Sequence, residues 1–365
     1  MVAGEDRTFA FVIHPINPKA DVSRKWPWLG RLLSERQINF LSRFFPPVYV
    51  SHITGVRSAD TGCEASGWFI AAPYTPARML ALPVDAVYRK IIACGRMAER
   101  LGARIMGLGA FTSVVGDAGV TIARALAIPV TTGDSYTVYI AVASLREAAR
   151  AMGIAPGEAV AAVVGASGAI GAACAELLAR DVPELLLIGR RPDALEAVRE
   201  RCEGGAARLR TSVDVNSIRH ADLILAVSSA IGPLIEPAQL KPGAVVCDVA
   251  RPRDVAATVT QARDDVFVYD GGMVAVPGPV DFHFNFGFPP GMAYACMAET
   301  MALALEGRFE DYTLGKAISV ARVDEIAAIA ARHGFRLAGF RSFEREVTDA
   351  QIARIRERAA ASRRA

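Results

Sequence analysis

No stretch of this 365-residue chain stays apolar long enough to cross a bilayer, and the run over 9–13 is too short for the core of a secretory signal. A cytoplasmic protein without a transmembrane segment is expected. Neither sign of charge prevails: 41 Lys and Arg stand, interspersed, against 38 Asp and Glu. That balance argues against nucleic acid as the main partner and leaves room for a local basic patch. Cysteine is sparse and scattered, at Cys63, Cys94, Cys174, Cys202, Cys247 and Cys296. No pair has CxxC spacing and no histidine sits near one at ligand spacing. Neither a metal site nor a disulfide framework is indicated, and each cysteine is read as a reduced thiol. There is no internal repeat. Hydrophobic residues are plentiful, at 52% of the chain, enough for the core of one or two domains.

The chain is organised around Val160-Ala-Ala-Val-Val-Gly165-Ala-Ser-Gly168-Ala-Ile-Gly171. Five apolar residues without alternation predict a parallel strand covered on both faces. The glycines then open a helix expected over 169–180. A tight turn feeding a helix leaves backbone N–H groups free beside the positive end of the helix dipole, which suits a pyrophosphate. The candidate contacts are Gly165, Ser167, Gly168, Ala169, Ile170 and Gly171. A second apolar run, 185–188, ends at Gly189-Arg190-Arg191. The acid that would hold a ribose 2′-hydroxyl is missing there, and arginine suits a 2′-phosphate. NADPH is therefore the expected cofactor, with Arg190 and Arg191 at its phosphate. An ordinary βαβ unit with solvated arginines is the plainer alternative. Further strands are expected over 222–227, 244–248 and 266–269. They end at Ser228-Ser229, Val249-Ala250 and Gly271-Gly272, where open parallel sheets hold ligands.

The preceding part mixes strands (8–14, 48–56, 67–70) with helices (29–45, 87–101). In Gly107-Leu-Gly109-Ala-Phe111-Thr112-Ser113 the glycines either admit a ligand to the backbone or simply make a turn. Thr112 and Ser113 offer hydroxyls. Asp134 or Ser135 is placed to cap a helix over 139–152. The phenylalanines of 281–288 line an apolar pocket or form a packed strand. A helix over 291–303 puts Cys296 in its first or second turn, where the dipole favours the nucleophilic thiolate. A small buried thiol is the plainer reading. A helix over 323–333, a strand-like 335–340 and an arginine-rich helical tail from 343 complete the chain.

Several of these pieces coincide with one family. Asp21-Val-Ser-Arg24, Tyr88-Arg-Lys90, the 107–113 segment, Thr131-Thr-Gly133, the 163–168 turn, Gly271-Gly272, Arg332-His333-Gly334-Phe335 and above all Ala295-Cys296-Met-Ala-Glu299 resemble long-chain acyl-[acyl-carrier-protein] reductases of the cyanobacterial type. The NADP-binding half of those enzymes is similar to shikimate dehydrogenase and glutamyl-tRNA reductase. The resemblance covers roughly residues 9–340. It implies that Cys296 is the catalytic thiol, attacking an acyl thioester of acyl carrier protein or coenzyme A, and that NADPH reduces the acyl-enzyme to a fatty aldehyde. An aldehyde-consuming enzyme is a possible partner. Gly109, Phe111, Thr112, Ser113, Ser135 and Tyr136 are then expected around the substrate, with backbone N–H groups or hydroxyls at the oxyanion. Three departures are Asp134 where the family has asparagine, Tyr136 where histidine is frequent, and the 277–290 loop in place of the family's acidic and aromatic stretch before the cysteine.

The fold expected is α/β: an N-terminal α/β substrate domain (1–135), a doubly wound parallel-sheet Rossmann domain binding NADP (136–289), and a C-terminal helical segment (290–365) closing the cleft and carrying the nucleophile. A quinate/shikimate-type dehydrogenase shares the domain order but uses a Lys–Asp pair. Only Lys19, Lys25 and Lys90 precede the dinucleotide half, and none lies in a matching motif. A non-catalytic NADP-binding protein is the third reading.

Overall fold

Strand β1, Thr8–Ile13, is apolar on both faces, and its neighbours explain why. The computed structural model describes residues 6–15 and 18–364. β1 lies inside a five-stranded sheet with β2 (Val48–Arg57), β3 (Glu64–Ala71), β4 (Ile105–Leu108) and β5 (Val130–Thr131), in the order β2-β3-β1-β4-β5. β2 and β3 pair antiparallel, and the remaining pairs are parallel. Alternation sends Ala10 and Val12 to one face, where they pack with Val87, Ile91 and Cys94 of the helix Val84–Leu101. That helix has its buried residues at helical spacing and stops at Gly102, which takes φ +87°. The helix Ala295–Glu306 packs against β1, β3 and β4. A Cβ at Gly107 of β4 would stand 2.1 Å from Thr300 Oγ1 of this helix, so the small residue lets the helix lie against the strand.

The second sheet is wholly parallel. Its strands are β6 (Val160–Val164), β7 (Glu184–Ile188), β8 (Arg208–Ser212), β9 (Leu223–Ala226), β10 (Val245–Asp248) and β11 (Phe267–Asp270), ordered β11-β10-β9-β6-β7-β8. Counted from its first strand this is the doubly wound order 3-2-1-4-5-6, with the switch point between β6 and β9. Val164, Ile188, Ala226, Val246 and Val268 share one core.

The chain forms two compact units, residues 1–136 with 274–336, and 137–273 with 337–365. This division differs from the segments expected at 1–135, 136–289 and 290–365. The chain rejoins the first unit at Val274, because the 295–306 helix covers that unit's own strands. Some elements also differ. The helix expected over 29–45 is two, Pro27–Leu32 and Glu35–Ser42. Ser34 breaks it by accepting from the Gln37 N–H while Gln37 accepts from the Ser34 N–H, a capping box. Only Arg336–Leu337 of 335–340 is a strand, and the tail helix begins at Asp349 behind a Thr348 cap rather than at 343. The 281–288 segment is not a strand. It follows a single bridge between Thr54 and Asp281, and Phe282 is buried, stacked on Phe69.

Candidate active site

The 295–306 helix starts later than its sequence suggests. Met292–Tyr294 is a short strand and Tyr294 an extended N-cap, which puts Cys296 in the first turn. The β5 end packs against it. Gly133 has φ +74°, and a Cβ there would lie 2.3 Å from Cys296 Cα and 2.5 Å from its Cβ. No other residue type combines that conformation with that approach. A Cβ at Gly109 would stand 3.5 Å from Cys296 Sγ, so the end of β4 borders the sulfur as well.

The dipole-lowered thiol expected for Cys296 is not found. The residue is half-buried, and burial, followed by the nearby Asp134 carboxyl, pushes its thiol up to about 12. The backbone N–H groups of Met297 and Cys296 act the other way and are outweighed. The thiol is therefore the form present at neutral pH.

Asp134 is the first residue of the helix Asp134–Ala151, so it stands inside that helix rather than capping it. Its side chain is buried, and burial, then the charge of Glu299, push it up to about 7. Glu299 is fully buried three residues after Cys296. Its carboxyl accepts from the Thr131 hydroxyl, from the Tyr136 N–H at 2.8 Å and from the Thr313 hydroxyl at 2.9 Å. Burial raises it too. Glu299 thus ties the start of the 295–306 helix to residues 131–136.

The other expected substrate residues are partly committed elsewhere. Thr112 Oγ1 donates to the Gly109 carbonyl at 2.8 Å, and Ser113 Oγ to the Ala110 carbonyl at 2.7 Å. Their hydroxyls therefore turn back onto their own turn. Phe111 is buried, and its N–H donates to His14 Nε2 at 3.1 Å. His14 is pushed down to about 4 by burial, in keeping with a neutral acceptor. None of these bonds uses the N–H of Ala110, which takes φ +49° at the tip of the turn. Ser135 Oγ lies 2.8 Å from Thr313 Oγ1, and Tyr136 is buried. Sequence reasoning missed the roles of Glu299, Thr313 and His14. Glu299 had a signal, being the one acid before the end of an otherwise apolar helix. The other two had none.

In the second unit the glycine turn is built as the motif demands. Gly165 has φ +90°, and a Cβ there would stand 2.8 Å from the Ser228 backbone N, across the switch point. Gly168 is the N-cap of Ala169–Leu178 without any side-chain cap bond, and a Cβ on it would meet only the Gly165 carbonyl, at 3.3 Å. A Cβ on Gly171 would stand 2.3 Å from that same carbonyl, so the helix packs tightly on the turn. Ser167 is half-buried, its Oγ 3.0 Å from where a Gly189 Cβ would lie, and Ala169 and Ile170 are half-buried at the helix start. Arg190 and Arg191 are exposed at the end of β7, with no ion-pair partner among the described residues. Ser228 donates its hydroxyl to Asp254 at 2.5 Å and its N–H to the same carboxyl at 2.8 Å, while Ser229 is exposed. The Gly271 N–H donates to the Asp248 carbonyl at 2.8 Å, and a Cβ there would hit Cys247 Sγ at 2.6 Å, so packing accounts for that glycine. Gly272, buried at φ +77°, continues the turn. Uncapped amides, an open Gly168 and two unpaired arginines fit a phosphorylated dinucleotide.

Comparison with known proteins gives three findings. The Shikimate / quinate 5-dehydrogenase family matches residues 146–270. An aminotransferase, PigE, from a Serratia species is 31% identical over 283 residues, 76% of this chain and 33% of that protein, so this chain spans about a third of its length. A long-chain acyl-[acyl-carrier-protein] reductase from Synechococcus elongatus is 30% identical over 306 residues, 80% of this chain and 87% of that protein. Among solved structures, L-tryptophan dehydrogenase from Nostoc punctiforme is 13% identical, covering 98% of this chain and 89% of that one, with a TM-score of 0.42.

Proposed function

The chain belongs to the long-chain acyl-[acyl-carrier-protein] reductase family, and on that premise we propose that it is a cytoplasmic enzyme reducing a fatty acyl thioester to the aldehyde. The acyl group arrives on acyl carrier protein or coenzyme A, and the aldehyde passes to an enzyme that consumes it. The observation that carries the reading is Cys296 in a helix's first turn with the buried Asp134 beside it.

The thiol holds its proton at neutral pH, whereas Asp134 near 7 is suited to take it. Asp134 accepts the Cys296 proton as sulfur attacks the thioester carbonyl. The tetrahedral oxyanion is met by the free N–H at Ala110 and by first-turn amides of the 295–306 helix. The carrier thiolate leaves with the proton that Asp134 returns, and the acyl group stays on Cys296. Gly165, Ser167, Gly168, Ala169, Ile170, Gly171, Arg190 and Arg191 would hold NADPH, which would supply the hydride that reduces the acyl group. Cys296 sulfur would then be expelled as the aldehyde forms, taking up a fresh proton from solvent by way of Asp134, since the first one left with the carrier thiol. Glu299 is a positioning residue, holding 131–136 against the helix start.

Intact-protein mass spectrometry without NADPH tests this. Wild type mixed with an acyl-carrier thioester is expected to gain one acyl mass, absent in Cys296→Ala, and NADPH is expected to clear it with release of aldehyde. A folded, NADPH-binding protein that takes up no acyl group across chain lengths overturns the reading in favour of a quinate/shikimate-type dehydrogenase, whose turnover survives Cys296→Ala.

A further inference from the structure

Large apolar side chains on the surface are not scattered evenly. Of eleven exposed ones among the described residues, six fall within 28–49: Trp28, Leu32, Phe40, Phe44, Phe45 and Tyr49. Leu32 is 74% exposed, Phe44 66% and Trp28 59%, which is far from core packing. They sit on or beside the two short helices Pro27–Leu32 and Glu35–Ser42. Clustered exposed apolar residues mark an interaction surface, whereas isolated ones need no explanation.

Charge is just as uneven. Between Lys19 and Phe45 there are six cations and two acids, a surplus of four, while the whole chain has a surplus of only three, 41 against 38. The rest of the protein is thus slightly acidic, and this segment is the basic patch. Charge and ring occur together: the Arg43 guanidinium lies 4.3 Å from the centroids of both Phe40 and Phe44. Arg24 is neutralised by Asp21 at 2.8 Å, and Lys25 Nζ donates to the Val50 carbonyl, which leaves Lys19, Arg31, Arg36 and Arg43 as the outward charges.

We propose that residues 27–45 form a peripheral docking surface for an anionic lipid bilayer. Tryptophan, phenylalanine and leucine tips enter the headgroup–acyl boundary while arginines keep their heads at the anionic surface. Single bulky side chains projecting at such exposure suit a deformable lipid boundary better than a protein partner, whose interface core is a packed, shape-matched pocket. No helix among the described residues is long and apolar enough to cross a membrane, so attachment through this segment is superficial. The inference stands independently of the proposed reaction.

Co-sedimentation of the full chain with vesicles tests it. Binding to phosphatidylcholine/phosphatidylglycerol (3:1) is expected to exceed binding to phosphatidylcholine alone about tenfold and to weaken in high salt. Phe40→Ser/Phe44→Ser/Phe45→Ser and Arg31→Glu/Arg36→Glu/Arg43→Glu are each expected to lose about tenfold, with the circular-dichroism spectrum and Tm unchanged. A variant that misfolds is replaced by Trp28 emission in Trp26→Phe/Trp68→Phe, which should shift to the blue on anionic vesicles only. Wild type that ignores anionic vesicles overturns the proposal. If it instead dimerises through the phenylalanines, a second copy covers the face; if it loses carrier-protein binding in the arginine variant, an acidic protein does.

Discussion

Cys296 carries a thiol whose surroundings resist ionisation, and this makes Asp134 the residue to test. An ordinary aspartate titrates near 3.8, whereas this one is pushed up to about 7 by burial and by Glu299. As pH rises from about 4 to 7 the unfolded chain has released this proton while the folded chain still holds it, so ionisation opposes folding across that window. Stability is therefore expected to fall with rising pH there. In Asp134→Asn that part of the slope should vanish, read as the difference between the two proteins' Tm against pH. Acyl transfer should follow the opposite trend, rising through pH 7 in wild type. In Asp134→Asn it should be slower by roughly a hundredfold and lose that rise, measured by stopped mass spectrometry. The thiol itself was legible in the sequence, as a cysteine near a helix start in a distinctive motif. Its environment was not. Asp134 looked like a cap because aspartate at a helix start suits that role, and only folding shows that it is buried close enough for its charge to act on Cys296.

At the level of elements, the glycine turn was the most legible part, because strand, turn and helix each leave a local mark. Gly165→Ala is expected to abolish NADPH binding, measured by titration. It forces a side chain into φ +90° and against the Ser228 backbone. Retained affinity would mean that the turn does not hold the pyrophosphate. Capping was read less well. Ser34 splits an apolar pattern that looked continuous over 29–45, because a capping box competes locally with a helix that periodicity alone would extend. The tail helix uses the same device at Thr348, which accepts from the Gln351 N–H at 3.3 Å. Thr348→Ala should cost about 1 kcal/mol in a denaturant titration.

The path of the chain between units is a property of the whole molecule, and the sequence hid it. The apolar run after residue 290 looks like a separate helical segment. In fact it supplies the helix that packs on β1, β3 and β4, and no local signal encodes that long-range pairing. A fragment ending at residue 136 should therefore show no cooperative unfolding by circular dichroism, and adding residues 274–336 in trans should restore some. A cooperative transition in the fragment alone would show that the first sheet needs no cover from residues 274–336.

That same path sets a schedule for synthesis. A ribosome adding roughly 5–20 residues per second takes on the order of ten to thirty seconds to travel from the end of the first segment to the helix that completes its sheet. During that interval β1 and β4 have emerged with one face uncovered, while all six strands of the second sheet are being made. The unit that begins the polypeptide is thus finished late, and its exposed strands are the part of the nascent chain most in need of a chaperone's attention.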